Sequence, residues 1–322
     1  MKNIAVFFHK VDNDGLMSGV IAENYLMPRV DTIDMVPINY GEDFESALAN
    51  PVSFYEDIYM IDVSDEKFMR NHGKKIIYID HHKNAMDTMP PVRDRHCIDG
   101  VAACRLVFDY LTSGPDYLFH DKGYYVNREN PLEPLCVAIL GEYDIWDKNS
   151  CVGEKLNFGQ DVKYKSVKYL FNATKGILVA HSPDKAEDLE VIEANKNISE
   201  HPSEWSYLRY LITKGEGALD YIKSTIERIS PVPFVYNGHK GVYINTSLDP
   251  SLVGLSYQLK DDEDFVMVWH LNKGFDNVSA SFRSNKIDVS EIARKFGGGG
   301  HKAAAACKMS LGLLLDLIKS QF

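Results

Sequence analysis

The sequence predicts an α/β protein: a parallel-sheet N-terminal domain, then a smaller α/β C-terminal domain, joined by a connector helix. Short runs rich in β-branched and aromatic residues recur early, at 4–8 (IAVFF), 33–38 (IDMVPI), 58–61 (IYMI) and 76–79 (IIYI). Runs of that length and composition read as buried strands of a parallel sheet. Between the first two lies 16–27, LMSGVIAENYLM, whose apolar positions 16, 17, 20, 21, 25 and 26 follow helical spacing. Beyond about residue 232 the texture changes to alternating strands (FVYN, GVYINTS, FVMVWHL, VSASFRS), broken at Asn237-Gly238 and Lys273-Gly274 as hairpins are. The expected division is a first domain over 1–190, a connector with its helix over 191–231, and a second domain over 232–322.

A chain of 322 residues is long enough for two such cores, and 45% apolar with 25% charged residues is ordinary for a soluble protein. No apolar run reaches membrane-spanning length, and the start, MKNIAVFFHKVDND, breaks into charge too early for a signal peptide. Five cysteines without a C-x-x-C pair fit a reduced, cytoplasmic chain. The net charge of −11, from 46 acidic and 35 basic residues, argues against long duplex nucleic acid, whose binding rests on many lysines and arginines. A short phosphorylated substrate is compatible with it, because two divalent cations would lift −11 to about −7 where it matters.

Three of the strand candidates end on cation-binding side chains. His9, Asp12 and Asp14 follow the first, Asp62 ends the third, and Asp80, His81 and His82 end the fourth. Ligands of α/β sheets sit outside the carboxyl ends of the strands. Carboxylates and imidazoles there are good metal ligands and poor occupants of an apolar core. Like charges about 4 Å apart repel by about 4 kcal/mol at an effective dielectric near 20, so four or more clustered carboxylates call for cations or protons. Gly15 opens the helix at 16–27, whose positive end would face Asp12 and Asp14. The run 33–38 carries little polar chemistry and reads as a structural strand.

Residues 101–111, VAACRLVFDYL, and 131–146 read as further helices. The second ends in GEYDIWD, where Asp144 is the next acidic candidate and Asp147 its competitor. Residues 184–204 are polar without a ligand set, and 216–229 form a helix stopped by Pro231 and Pro233. A short helix over 288–296 leads into Gly297, Gly298, Gly299, Gly300 and His301. Glycine lets backbone N–H groups approach an anion closely, and with Arg283 at a strand end and Lys302 nearby the run favours a phosphate or nucleotide site. Residues 303–306 fit helix or strand, and Ser310 caps a last helix.

Asp80-His81-His82 after an apolar strand, preceded by H-x-x-D-x-D-G and an isolated strand-end Asp62, resembles the DHH phosphoesterase superfamily. The stretch VSASFRS…IDVSEIARKFGGGGHKAAA is similar to the DHH-associated C-terminal domain of its nanoRNase and single-strand exonuclease branches. The resemblance implies a two-manganese site between the domains, with Mg2+ or Co2+ as substitutes. His9, Asp12 and Asp62 would hold one ion, and Asp14, Asp62, His81 and Asp144 the other. Asp80 would orient a histidine, and His82 would contact the scissile phosphate. Arg283, Gly298, Gly299, Gly300 and His301 would hold the rest of the substrate.

The activity so implied is manganese-dependent hydrolysis of short single-stranded oligonucleotides or small nucleotides by two-metal water activation. Pyrophosphatase or exopolyphosphatase chemistry and a non-catalytic nucleotide-binding module are the competing expectations. The sequence leaves the oligomeric state open.

Overall fold

The computed structural model describes residues 2–113, 132–145, 151–178, 202–248, 250–257, 259–272, 274, 277–300 and 302–319. They belong to two compact units, Met1–Gly217 and Ala218–Phe322.

The first unit runs β1 (Asn3–His9), α1 (Asn13–Leu26), β2 (Thr32–Ile38), α2 (Phe44–Ala47), β3 (Asp57–Ile61), α3 (Glu66–His72), β4 (Ile76–Asp80), α4 (Lys83–Thr88) and β5 (Asp94–Cys97). Then follow α5 (Ala103–Ser113), α6 (Leu135–Asp144), α7 (Cys151–Gly159), α8 (Tyr164–Thr174) and α9 (Pro202–Ile226), which crosses the unit boundary. The five strands are parallel, in the order β2-β1-β3-β4-β5. Successive strand residues face opposite ways, and both faces are apolar. Val6, Phe8, Ile61, Ile77 and Ile79 pack with residues of α1, α5, α6 and α8. Phe7, Ile58, Met60, Ile76 and Tyr78 pack on the other side with Phe44 and Phe68. The sheet is therefore covered on both sides, and its strand order reverses between β1 and β3. A crevice opens at such a switch point, at the carboxyl ends.

The sequence reading missed β5, α7 and α8, and α9 starts at Pro202 rather than at 216. Proline costs nothing in a first helical turn, where its missing N–H has no partner anyway. The signal for α9 was present: Trp205, Leu208, Leu211, Ile212 and Leu219 are buried at helical spacing. In α8, Val167, Leu170, Phe171 and Thr174 repeat it.

The second unit runs β6 (Val232–Tyr236), β7 (His239–Asn245), α10 (Pro250–Ser256), β8 (Phe265–Leu271), β9 (Asn277–Arg283), α11 (Val289–Lys295), β10 (Gly299–Gly300), β11 (Ala304–Ser310) and α12 (Leu311–Lys319). Its mixed sheet has the order β10-β11-β9-β8-β7-β6, with β7 and β8 parallel and the other neighbours antiparallel. Asn237 and Gly238 have φ of 51° and 83°, the left-handed pair that a two-residue hairpin turn requires. Residues 304–306, left open between helix and strand, are strand, because β9 offers them a full ladder of partners. Ser310 does cap the last helix, its Oγ accepting from the Leu313 N–H at 3.2 Å. Among the described residues no helix is long and apolar enough to cross a membrane.

Candidate metal centre

The strand order of the first unit sets three of the expected ligand segments side by side. Phe8 pairs with Ile61 and Ile61 with Ile79, so β1, β3 and β4 end in register at His9, Asp62 and Asp80. Asp12 caps α1, accepting from the Gly15 N–H at 2.8 Å, and Asp14 lies in the first turn of that helix. Gly15 has to be glycine: a Cβ there would stand 2.4 Å from the His9 carbonyl oxygen, so any side chain would push α1 away from β1. Asp62 adopts a left-handed φ of 57°, a conformation that non-glycine residues hold only where their surroundings enforce it. Asp144 is the last residue of α6.

The side chains converge. His9 Nδ1 lies 2.6 Å from Asp12 Oδ2 and 3.6 Å from Asp62 Oδ2. His81 Nε2 is surrounded by three carboxylates, Asp144 at 3.2 Å, Asp62 at 3.5 Å and Asp14 at 3.8 Å. Two clusters of three, His9/Asp12/Asp62 and Asp14/His81/Asp144, and an overlapping group of four, Asp62/Asp80/His81/His82, result among the described residues, and in each the possible ligand atoms lie within 4.8 Å of one another. Asp62 belongs to the first and reaches the second through His81. Asp144 is thus at the site, whereas its competitor Asp147 lies outside the described residues.

Asp80 and His82 adjoin Asp62, whose Oδ1 lies 3.7 Å from His82 Nδ1. The buried Asp80 carboxylate accepts from the N–H groups of His81 (2.6 Å) and His82 (3.0 Å), from His82 Nδ1 (2.8 Å) and from the Tyr78 hydroxyl. Asp80 is committed to those donors. His82 is the more open of the two histidines, with 36% of its side chain exposed against 7% for His81.

The electrostatics fit a cation. Burial, then repulsion from Asp62, raises the Asp14 pKa to about 6, although His81 and the Cys104 side chain draw it down. Burial and then Asp14 hold Asp144 well above the usual carboxylate range. Burial opposes ionisation of Asp62 as well, but His81 and His9 hydrogen bonds outweigh it and hold that carboxyl well below its ordinary value. Burial alone would lower His9, yet Asp12 and Asp62 raise it to about 11, and His81 is likewise pulled well above its ordinary value by Asp62 and Asp144. Positive charge is therefore strongly favoured among these groups. Two buried atoms that face the cluster, His9 Nδ1 and Asp62 Oδ1, have no partner with hydrogen-bond geometry among the described residues. Orphaned donor atoms in a carboxylate–imidazole set are what a divalent cation would satisfy. Asp14 is aimed by two backbone donors at the start of α5, Ala103 N–H at 2.9 Å and Cys104 N–H at 2.8 Å.

Sequence reasoning missed those two amides and also Asn39 and Tyr40. Asn39 Oδ1 lies 3.1 Å from His9 Nε2, and the Tyr40 hydroxyl donates to the Asp62 carbonyl at 3.3 Å. The available signal was position, since they follow β2 as the ligands follow β1, β3 and β4.

In the second unit Arg283 ends β9, in register with Val266 and Ala304, and its Nη1 donates to the Phe282 carbonyl at 2.9 Å. The glycine run differs from a bare nest of amides. Gly297 N–H donates to Arg294 O (3.1 Å) and Gly298 N–H to Ala293 O (2.9 Å), closing the end of α11. Gly299 and Gly300 pair with Ala306 and Ala305 as β10. Amides that satisfy a helix end are not free for a phosphate, so the expected nest does not include those of Gly297 and Gly298. His301 lies outside the described residues.

Residues 250–322 match the family model of the DHHA1 domain. No curated protein matches the chain. Among solved structures, the pGpG-specific phosphodiesterase PggH from Vibrio cholerae is 14% identical, with 100% of each chain covered and a TM-score of 0.42. An exopolyphosphatase-related protein from Bacteroides fragilis is 13% identical over 99% of this chain and 91% of its own, with a TM-score of 0.48. RecJ from Thermus thermophilus, in complex with Mn2+, is 16% identical over 98% of this chain and 51% of its own, with a TM-score of 0.49. The chain is thus similar to the DHHA1 domain over residues 250–322, and in the first unit Asp-His-His closes β4.

Proposed function

We propose that the chain is a metal-dependent phosphohydrolase that cleaves phosphodiester or phosphomonoester bonds of short oligonucleotides or small nucleotides. The observation that carries this reading is the convergence of His9, Asp12 and Asp62, and of Asp14, His81 and Asp144, on two adjoining clusters at the strand ends. Those residues would hold two divalent cations, manganese in our reading, with Asp62 serving both clusters. When bound, the pair supplies Lewis-acid charge and a water of lowered pKa.

The rest of the chemistry falls to the chain's own side chains. Asp80 holds His82 through ring and backbone, so the imidazole keeps its Nδ1 proton inward and presents Nε2 to a phosphoryl oxygen. Ala103 and Cys104 fix Asp14 from behind, which keeps its carboxylate from turning away as charge develops. On the second unit, Arg283 carries a guanidinium of the kind suited to a phosphate, and Gly299, Gly300 and His301 remain the expected substrate contacts of that unit.

A substrate panel with Mn2+ tests the reading: dinucleotides to pentanucleotides, 3′-phosphoadenosine 5′-phosphate, cyclic dinucleotides and pyrophosphate. Manganese-stimulated cleavage of a short nucleotide, abolished in His81→Ala, is expected. Release of phosphate from pyrophosphate alone would assign the pyrophosphatase reaction, and tight nucleotide binding without turnover a binding module. Turnover that survives exhaustive chelation would overturn the proposal.

A further inference from the structure

We infer that Asn39 is a positioning residue that commits His9 to ligating a cation through Nδ1, and that Tyr40 steadies the Asp62 ligand beside it. The inference rests on the two-ion reading above. Asn39 and Tyr40 follow β2, a strand that carries none of the expected ligands.

The orientation of the Asn39 amide follows from its neighbours. The Tyr40 N–H donates to Asn39 Oδ1 at 2.8 Å, which identifies that atom as the carbonyl oxygen. An oxygen can only accept, so the contact of 3.1 Å to His9 Nε2 requires the proton to sit on Nε2. A ligating imidazole needs a lone pair on its other nitrogen. That nitrogen is Nδ1, the atom 2.6 Å from Asp12 and 3.6 Å from Asp62 that lacks a hydrogen-bond partner among the described residues. With Nε2 held, the ring turns Nδ1 toward the cluster and keeps it there.

The loop itself is anchored. Lys10 N–H donates to Ile38 O at 3.1 Å, and Lys10 Nζ meets Glu42 at 2.7 Å, while the Asn39 N–H reaches Glu42 at 3.3 Å. The Tyr40 ring packs edge-on against His9 with centroids 5.3 Å apart, and its hydroxyl bonds the carbonyl of Asp62, the residue with left-handed φ. The pair thus touches both His9 and Asp62, and the inference concerns the His9/Asp12/Asp62 ion only.

The test is a Mn2+ titration of the intact protein, followed by calorimetry and by pulsed EPR of imidazole-nitrogen coupling. Wild type, Asn39→Leu, Asn39→Asp and Tyr40→Phe are compared. Asn39→Leu should weaken one of two ions roughly 10- to 100-fold and reduce the nitrogen coupling, while the second ion is unchanged. Asn39→Asp, which keeps the acceptor, should retain both ions within a few-fold. Tyr40→Phe should weaken the same ion as Asn39→Leu, by less. Two ions in wild type with unchanged binding in Asn39→Leu would overturn this inference and leave the proposed function standing. An Asn39→Asp variant as impaired as Asn39→Leu would also overturn it, since the acceptor would then not matter. A wild-type chain that binds no Mn2+ would overturn the inference and the proposed function together.

Discussion

Asp80 accepts from the ring Nδ1 of His82 at 2.8 Å and from the same residue's backbone N–H at 3.0 Å, so one carboxylate sets both the tautomer and the backbone of its neighbour. With the His81 N–H and the Tyr78 hydroxyl it gathers four donors at a site closed to solvent. Asp80→Ala would leave those donors unsatisfied, at about 1–3 kcal/mol for each that water does not reach. We expect a lower melting temperature together with at least a hundredfold loss of turnover. Calorimetry and initial rates on the best substrate check both, and an Asp80→Ala enzyme with wild-type turnover would refute the assigned role.

Removal of cations should destabilise the first unit. Buried carboxylates around His81 repel one another, and a bound ion relieves that repulsion only in the folded state. At a free ion concentration a hundred times Kd, linkage gives about 2.7 kcal/mol per site. Differential scanning calorimetry should show the melting temperature rising with Mn2+ and falling with chelator. Coincident melting curves in the two conditions would contradict it.

Gly141 lies in α6 one turn before Asp144, where alanine would normally favour a helix by about 1 kcal/mol. Here a Cβ would come within 2.7 Å of Arg105 Cδ. Arg105 is unable to give way, because Glu133 grips its guanidinium at 2.9 and 3.0 Å in a buried pair. Gly141→Ala should therefore cost about 1–3 kcal/mol by urea denaturation and weaken Mn2+ binding at the site proposed to include Asp144. A stabilised variant would disprove the steric argument.

His96 in β5 is buried, with Nε2 lacking a hydrogen-bond partner among the described residues and its ring 5.8 Å from that of Tyr110. Burial pushes its pKa below the ordinary 6.5, and Asp109 and Asp94 offset this only in part. The folded state thus binds fewer protons at this site than the unfolded chain does. The associated stability is present above the unfolded pKa and is lost as pH falls through the folded one. Between about pH 8 and about pH 5.5, wild type should lose more unfolding free energy than His96→Gln. Equal losses in the two proteins would show that His96 does not contribute.

The strand-end rule made His9, Asp12, Asp14, Asp62, Asp80, His81 and His82 legible, since charged groups after apolar runs have few structural uses. Asn39 and Tyr40 escaped it because asparagine and tyrosine are ordinary turn residues and carry no charge to flag them. The amides of Ala103 and Cys104 have no sequence signature at all, because every residue but proline carries one. The glycine run was legible as a close backbone approach, but not the use made of it: Gly297 and Gly298 spend their amides on α11. The helices after residue 150 were obscured by lysines and tyrosines between their buried positions, as in α8.

The two clusters differ in how much chain they need. His9, Asp12 and Asp62 are all encoded before residue 63 and draw on only β1, the start of α1 and the end of β3, whereas Asp14 and His81 wait for Asp144 at the end of α6. A nascent polypeptide leaving the ribosome therefore displays one complete set of the proposed cation ligands some eighty residues ahead of the other.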